Sequence, residues 1–137
     1  MANWKVKVKG MKELEREMEK VVKEMKDELQ TGTNDAANAV AGIIRSNAPG
    51  SIAEAVETKV LPRKDNYPNV TMVGVNYNKA PHQHLVEYGS GPRYTSDGAY
   101  RGQMPADPFF RRSIDGAHGL IKNTIRDRAR SPIDRRR

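Results

Sequence analysis

The sequence predicts an α+β protein: a long N-terminal amphipathic helix, a small antiparallel sheet, and a C-terminal helix packed on it. Three observations lead there. Met11, Leu14, Met18, Val21, Val22, Met25 and Leu29 recur at three- and four-residue steps, with Glu and Lys filling the other faces, as in an amphipathic helix. Two short runs, residues 58–61 and 70–75, are rich in Val and Thr and are bounded by Pro62 and by polar turn residues, which marks strands. From Pro108 onward, Phe109, Phe110, Ile114, Ala117, Leu120, Ile121, Ile125 and Ala129 return to near-helical spacing.

In chain order, Trp4, Val6 and Val8 alternate with Lys5, Lys7 and Lys9, the period of a half-buried strand whose lysines face water and discourage stray edge pairing. Gly10 ends it. The helix that starts at Met11 meets Thr31-Gly32-Thr33, which weakens it, and Thr33 or Asn34 is placed to cap a second segment over residues 35–46. That segment carries a small-residue stripe of Ala36, Ala37, Val40, Ala41, Ile43 and Ile44, across which another element can approach closely. One kinked helix and a helical hairpin both fit, since a glycine inside a helix costs only about 1 kcal/mol. Asn47-Ala48-Pro49-Gly50 stops the helix in either case. Residues 51–57 suit a short helical turn or the approach to a strand. The two strands, joined through a polar turn at Lys64-Asp65-Asn66, make a hairpin or meander with Val6 and Val8 as a third partner.

Residues 80–88 read as a short helix or turn, halted by Gly89-Ser90-Gly91-Pro92. Residues 93–101, with two tyrosines but little other apolar content, read as an exposed loop. Asp107 is placed to cap the last helix, Pro108 suits its first position, and Phe109 and Phe110, both phenylalanines of the chain, anchor it. Gly116 and Gly119 soften its middle, and Ser131-Pro132 ends it near Arg130. Residues 1–130 thus form one domain, and residues 131–137 a basic tail.

Composition limits what such a domain does. At 137 residues it buries a modest core without disulfides or metal. The absence of cysteine removes thiol catalysis and cysteine-ligated zinc. Apolar residues at 36% and a mean hydropathy of -0.80 describe a thin core, suited to a subunit that finishes burying its surface against neighbours. No apolar run approaches the roughly 20 residues that span a bilayer, and the start of the sequence lacks a signal-peptide core. The net charge of +7 is concentrated late: residues 111–137 hold nine Lys/Arg against three acids, whereas residues 11–30 hold five against seven. Such a tail suits DNA phosphates, or else is a solvated helix end.

Chemistry-bearing constellations are sparse. His82-x-His84 with Glu87 has a ligand-like look, but positions two apart do not share a helix face and no HExxH spacing exists. His118 lies between Ala117 and Gly119 on the last helix and reads as packed or exposed. Ser90 lacks the Gly-x-Ser-x-Gly context of a nucleophile elbow. No phosphate-binding loop or dinucleotide fingerprint occurs, and one carboxylate gives poor support for glycosidase chemistry. The expectation is a non-enzymatic protein without metal or cofactor.

An Ala-rich helix ends in Asn47-Ala48-Pro49 and is followed by two strands. Then comes Val86-Glu87-Tyr88-Gly89-Ser90, a variable loop, and Pro105-Ala106-Asp107-Pro108-Phe109-Phe110 opening the last helix. In this order of features the chain resembles the tail-completion or neck (head-tail joining) proteins of long-tailed bacteriophages. It departs from them at Pro49-Gly50-Ser51-Ile52, a contracted form of the family's Thr-Gly-x-Leu turn, and at Arg111-Arg112-Ser113, where the family often has Pro-Ala. The resemblance implies a structural subunit of a ring, with six copies, between the portal-side connector and the tail tube. Its partners would be itself, head-completion or connector proteins, and the tail tube or tail terminator. It would reside in the virion neck after assembly in the host cytoplasm, without membrane contact. Glu87 would cap a local backbone or pair with Arg93 or Arg111. Candidate contacts to partners or to DNA in the channel are Arg93, Arg101, Arg111, Arg112, Arg126, Arg128 and Arg130. The alternative is a small basic nucleic-acid-binding protein using the C-terminal helix and tail, although no helix-turn-helix or zinc module is present.

Overall fold

A computed structural model describes residues 8–62 and 70–136. Its first element, α1 (Met11–Asn47), is one unbroken helix of 37 residues, roughly 55 Å long at 1.5 Å per residue. The choice between a kinked helix and a hairpin is thus settled in favour of continuity. Thr31 and Thr33 turn their hydroxyls back onto the carbonyls of Asp27 (3.1 Å) and Leu29 (2.8 Å), so they sit inside the helix without opening it. Gly32 serves a crossing rather than a break: a Cβ there would stand 3.0 Å from the Arg128 Cβ and 3.4 Å from the Ile125 Cα. Asn34, read as a cap, is mid-helix and accepts a hydrogen bond from Thr71 Oγ1 at 2.6 Å. The helix ends where the sequence places its stop, with Ala48 N–H donating to Ile44 O just before Pro49.

A 3₁₀ turn, Gly50–Ala55, buries Ile52 and Ala55 and leads into β1 (Val56–Leu61). Strand β1 pairs antiparallel with β2 (Val70–Val75), from Val56 opposite Val75 to Leu61 opposite Val70. Alternation puts Val56, Thr58, Val73 and Val75 on one face, and that face lies on α1, tied by Thr58 Oγ1 to Asn38 and by the Arg45 guanidinium to Val56 O. The expected third strand at Trp4 and Val6 lies outside the described residues, while Val8 is exposed and in no strand. The turn at Lys64-Asp65-Asn66 also lies outside them.

Helix α2 (Gln83–Tyr88) follows. The segment read as an irregular loop contains a small hairpin instead, β3 (Arg93–Tyr94) against β4 (Tyr100–Gly102). Its turn is closed locally, by Thr95 N–H to Ala99 O, Ala99 N–H to Thr95 Oγ1, and Gly98 at φ 84°. Helix α3 (Phe109–Asp134) then runs antiparallel along α1, from the Asn47–Ser113 hydrogen bond (2.9 Å) past Gly32 to the Arg136–Glu24 ion pair (2.9 Å). It does not stop at Ser131-Pro132. Pro132 is fully buried within the last turn, where its missing N–H costs one hydrogen bond near a terminus and its ring adds apolar burial. The core gathers Val40, Ala41, Ile44, Ile52, Phe109 and Ala117 at the end of the molecule where α1, the sheet and α3 meet. The first half of α1 projects from it.

Candidate functional site

The two boxes singled out in the sequence form one structural unit. Val86 O accepts from Asp107 N–H (2.8 Å), Ser90 N–H donates to Met104 O (2.9 Å), and Ser90 Oγ accepts from Met104 N–H (3.0 Å). Gly89 lies between them at φ 76°, and a Cβ there would be 2.8 Å from Met104 O and 2.9 Å from Ala106 N. Both the left-handed backbone and the lack of space require glycine.

Glu87, in the last turn of α2, is buried with its carboxylate aimed at the start of α3. Oε2 accepts from Phe110 N–H (2.9 Å) and Oε1 from Arg111 N–H (3.0 Å). The remaining first-turn donors are taken by Asp107 O, from Phe109 N–H, and Pro108 O, from Arg112 N–H. Helix α3 has no acid of its own in that turn, so Glu87 supplies both acceptors and the negative charge that a helix N-terminus favours. Of the two roles read for Glu87, the backbone cap is the one present. Asp107, read as the cap, instead pairs with Arg112 at 3.0 Å. Both Glu87 oxygens are committed to backbone donors, while His82 and His84 are exposed beside it.

The hairpin stands out from this junction. Tyr94 and Tyr100 sit across it with ring centroids 5.6 Å apart at 60°, and both are exposed, as are Tyr88, Arg93 and Arg101. Aromatic and guanidinium groups in water on the two strands behind the Thr95–Ala99 turn are a surface suited to a protein partner.

The candidate arginines of α3 divide by face. Arg111 lies 4.0 Å from Asp115, while Arg126 and Arg130, with Lys122, recur at four-residue steps on an exposed row. Arg128 turns the other way, to Asp35 (2.8 Å) and Glu28 (3.6 Å) on α1. Arg135 pairs with Glu28 at 2.7 Å, and Arg136 with Glu24 at 2.9 Å and Glu17 at 3.2 Å. The Lys20 ammonium first, and Arg136 second, hold the Glu17 carboxyl below its ordinary range; Glu24 chiefly, with Glu17, raises the Arg136 guanidinium. Three of the nine late cations, Arg128, Arg135 and Arg136, therefore lie against acids of α1. Sequence reasoning missed this clasp, although the charge counts of residues 11–30 and 111–137 already hinted at it. No described helix is long and apolar enough to cross a membrane.

No curated protein and no solved structure matches the chain. A family model does match, over residues 12–89, which takes in α1, the sheet and the Val86-Glu87-Tyr88-Gly89 turn. Its description is "HK97-gp10_like: Bacteriophage HK97-gp10, putative tail-component". The match covers more than half of the sequence, and the chain belongs to this family of bacteriophage tail components.

Proposed function

We propose that the chain is a structural subunit of the neck or tail-completion ring, six copies to a ring, that joins the DNA-filled head to the tail tube without catalysing a reaction. The family match over residues 12–89 carries this reading. Connector or head-completion proteins adjoin the ring on one side and the tail tube or tail terminator on the other. The exposed hairpin, with Tyr94, Tyr100, Arg93 and Arg101, supports a role in reaching a neighbouring subunit or ring. Arg111, Arg112, Arg126 and Arg130 are the groups that would meet DNA in the channel. The engagement of Arg128, Arg135 and Arg136 by acids of α1 favours joining over a dedicated nucleic-acid binder, because fewer cations remain for phosphates.

The hairpin gives the test. Deleting residues 95–99 removes the tip while sparing every contact of the Glu87 junction. The expected outcome is a folded chain, judged by circular dichroism and thermal unfolding, in a phage that accumulates separate heads and tails. Normal phage yield would contradict the proposal.

A further inference from the structure

Two apolar features of α1 have no cover among the described residues. In its first half Met11, Leu14, Met18 and Val22, spaced by three, four and four residues, are each at least half exposed. In its second half Ala36, Ala37 and Val40 floor an open groove of about 380 Å³ walled by Val73 of β2 and by Ile121 and Ile125 of α3.

Both features lie on one face of the same rod. Met18 and Ala36, like Val22 and Val40, are 18 residues apart, which is five full turns at about 3.6 residues per turn. The stripe therefore points the way the groove opens, about 30 Å further along the axis. A continuous helix cannot fold one onto the other. A second copy carries a matching surface, with the same stripe and the same groove at the same 18-residue offset.

We propose that two copies of the free chain pair antiparallel through this face, each laying its 11–22 stripe in the groove of the other. A two-fold axis crossing α1 near residue 27 brings Met18 of each copy to the level of Ala36 and Ile121 in the other. Both grooves fill at once and no stripe is left to propagate the contact, as an isologous interface requires. The side chains meet as anchors of a helix laid in a groove, at i, i+3, i+7 and i+11. Lys122 follows Ile121 at the rim on α3, and the incoming helix carries Glu13, Glu15 and Glu19 beside its stripe, interleaved with Lys12, Arg16 and Lys20. The pair is the form in which the free subunit covers its apolar surface, and it does not depend on where in a particle the chain ends up.

Light scattering of the purified full chain, combined with cross-linking, tests this. The expected mass is twice the 15.4 kDa of one chain, falling to one chain in the double variant Leu14→Glu/Met18→Glu. That variant should keep its circular dichroism, because both replaced side chains are exposed in the single chain, while its unfolding midpoint falls and loses the dependence on protein concentration that pairing gives the native chain. The chain has no cysteine, so single replacements report cleanly. A short bismaleimide should join Met18→Cys of one copy to Ile121→Cys of another, and should not join two Met18→Cys chains, whose sites would be about 27 Å apart along the paired helices. A monomeric native chain, a dimer indifferent to the double variant, or cross-linking between two Met18→Cys chains would each overturn the proposal. So would a mass near six chains, which would support the ring of the preceding section while removing this pair. A monomer whose stripe is protected only by another tail protein would equally refute it.

Discussion

A single buried carboxylate sets the start of α3 from 23 residues upstream. Glu87 accepts two backbone N–H groups that no side chain of α3 itself satisfies, and it places a negative charge where Arg111 and Arg112 alone would put two positive ones. Removing it orphans both donors in a partly buried place. Glu87→Ala should cost about 2–3 kcal/mol, and Glu87→Gln about half as much, because the amide offers one acceptor and turns a donor toward the second N–H. Urea unfolding of the two variants checks the order, and an unchanged midpoint in Glu87→Ala would show that the cap carries no weight. The sequence marked Glu87 as a cap or an ion-pair partner, but a cap that arrives from another element is a tertiary fact with no local signature. Asp107 shows the reverse. It has the residue type and position of a local cap, and it loses that role because Val86 O and Arg112 claim its backbone and side chain.

At the scale of elements, α1, β1, β2 and most of α3 were legible because their apolar periods are local and uninterrupted. The misreadings fall where a breaker residue is used for packing. Gly32 looks like a weak point, yet it is buried and lets α3 pass close enough for Arg128 to cross to Asp35. Pro132 looks like a stop, yet it is buried in the last turn. Gly32→Leu should therefore destabilise the chain by about 1–3 kcal/mol through overpacking, despite the better helix propensity of leucine. Thermal unfolding checks this. A rise in the midpoint would mean that the helices do not approach closely at Gly32. The 93–101 segment has the sequence of a loop because two- and three-residue strands leave too short an alternation to detect, and its order comes from the Thr95 turn and the tyrosine pair.

At the scale of the whole molecule, the core is gathered at one end and half of the longest helix projects from it, carrying apolar side chains into water. The thin core anticipated from composition is thus unevenly placed, with surface left for other chains on α1 and on the exposed hairpin. The charge asymmetry has a partly internal use, since Arg128, Arg135 and Arg136 clasp the acids of α1, while the outer row of α3 stays exposed. The most direct measurement is electron cryomicroscopy of the mature virion that carries this chain. The joining role requires a ring of density at the boundary between head and tail tube, into which α1, α3 and the Glu87 junction fit as one body. Density for the chain only at the far tip of the tail, or absent from the finished particle, would contradict it.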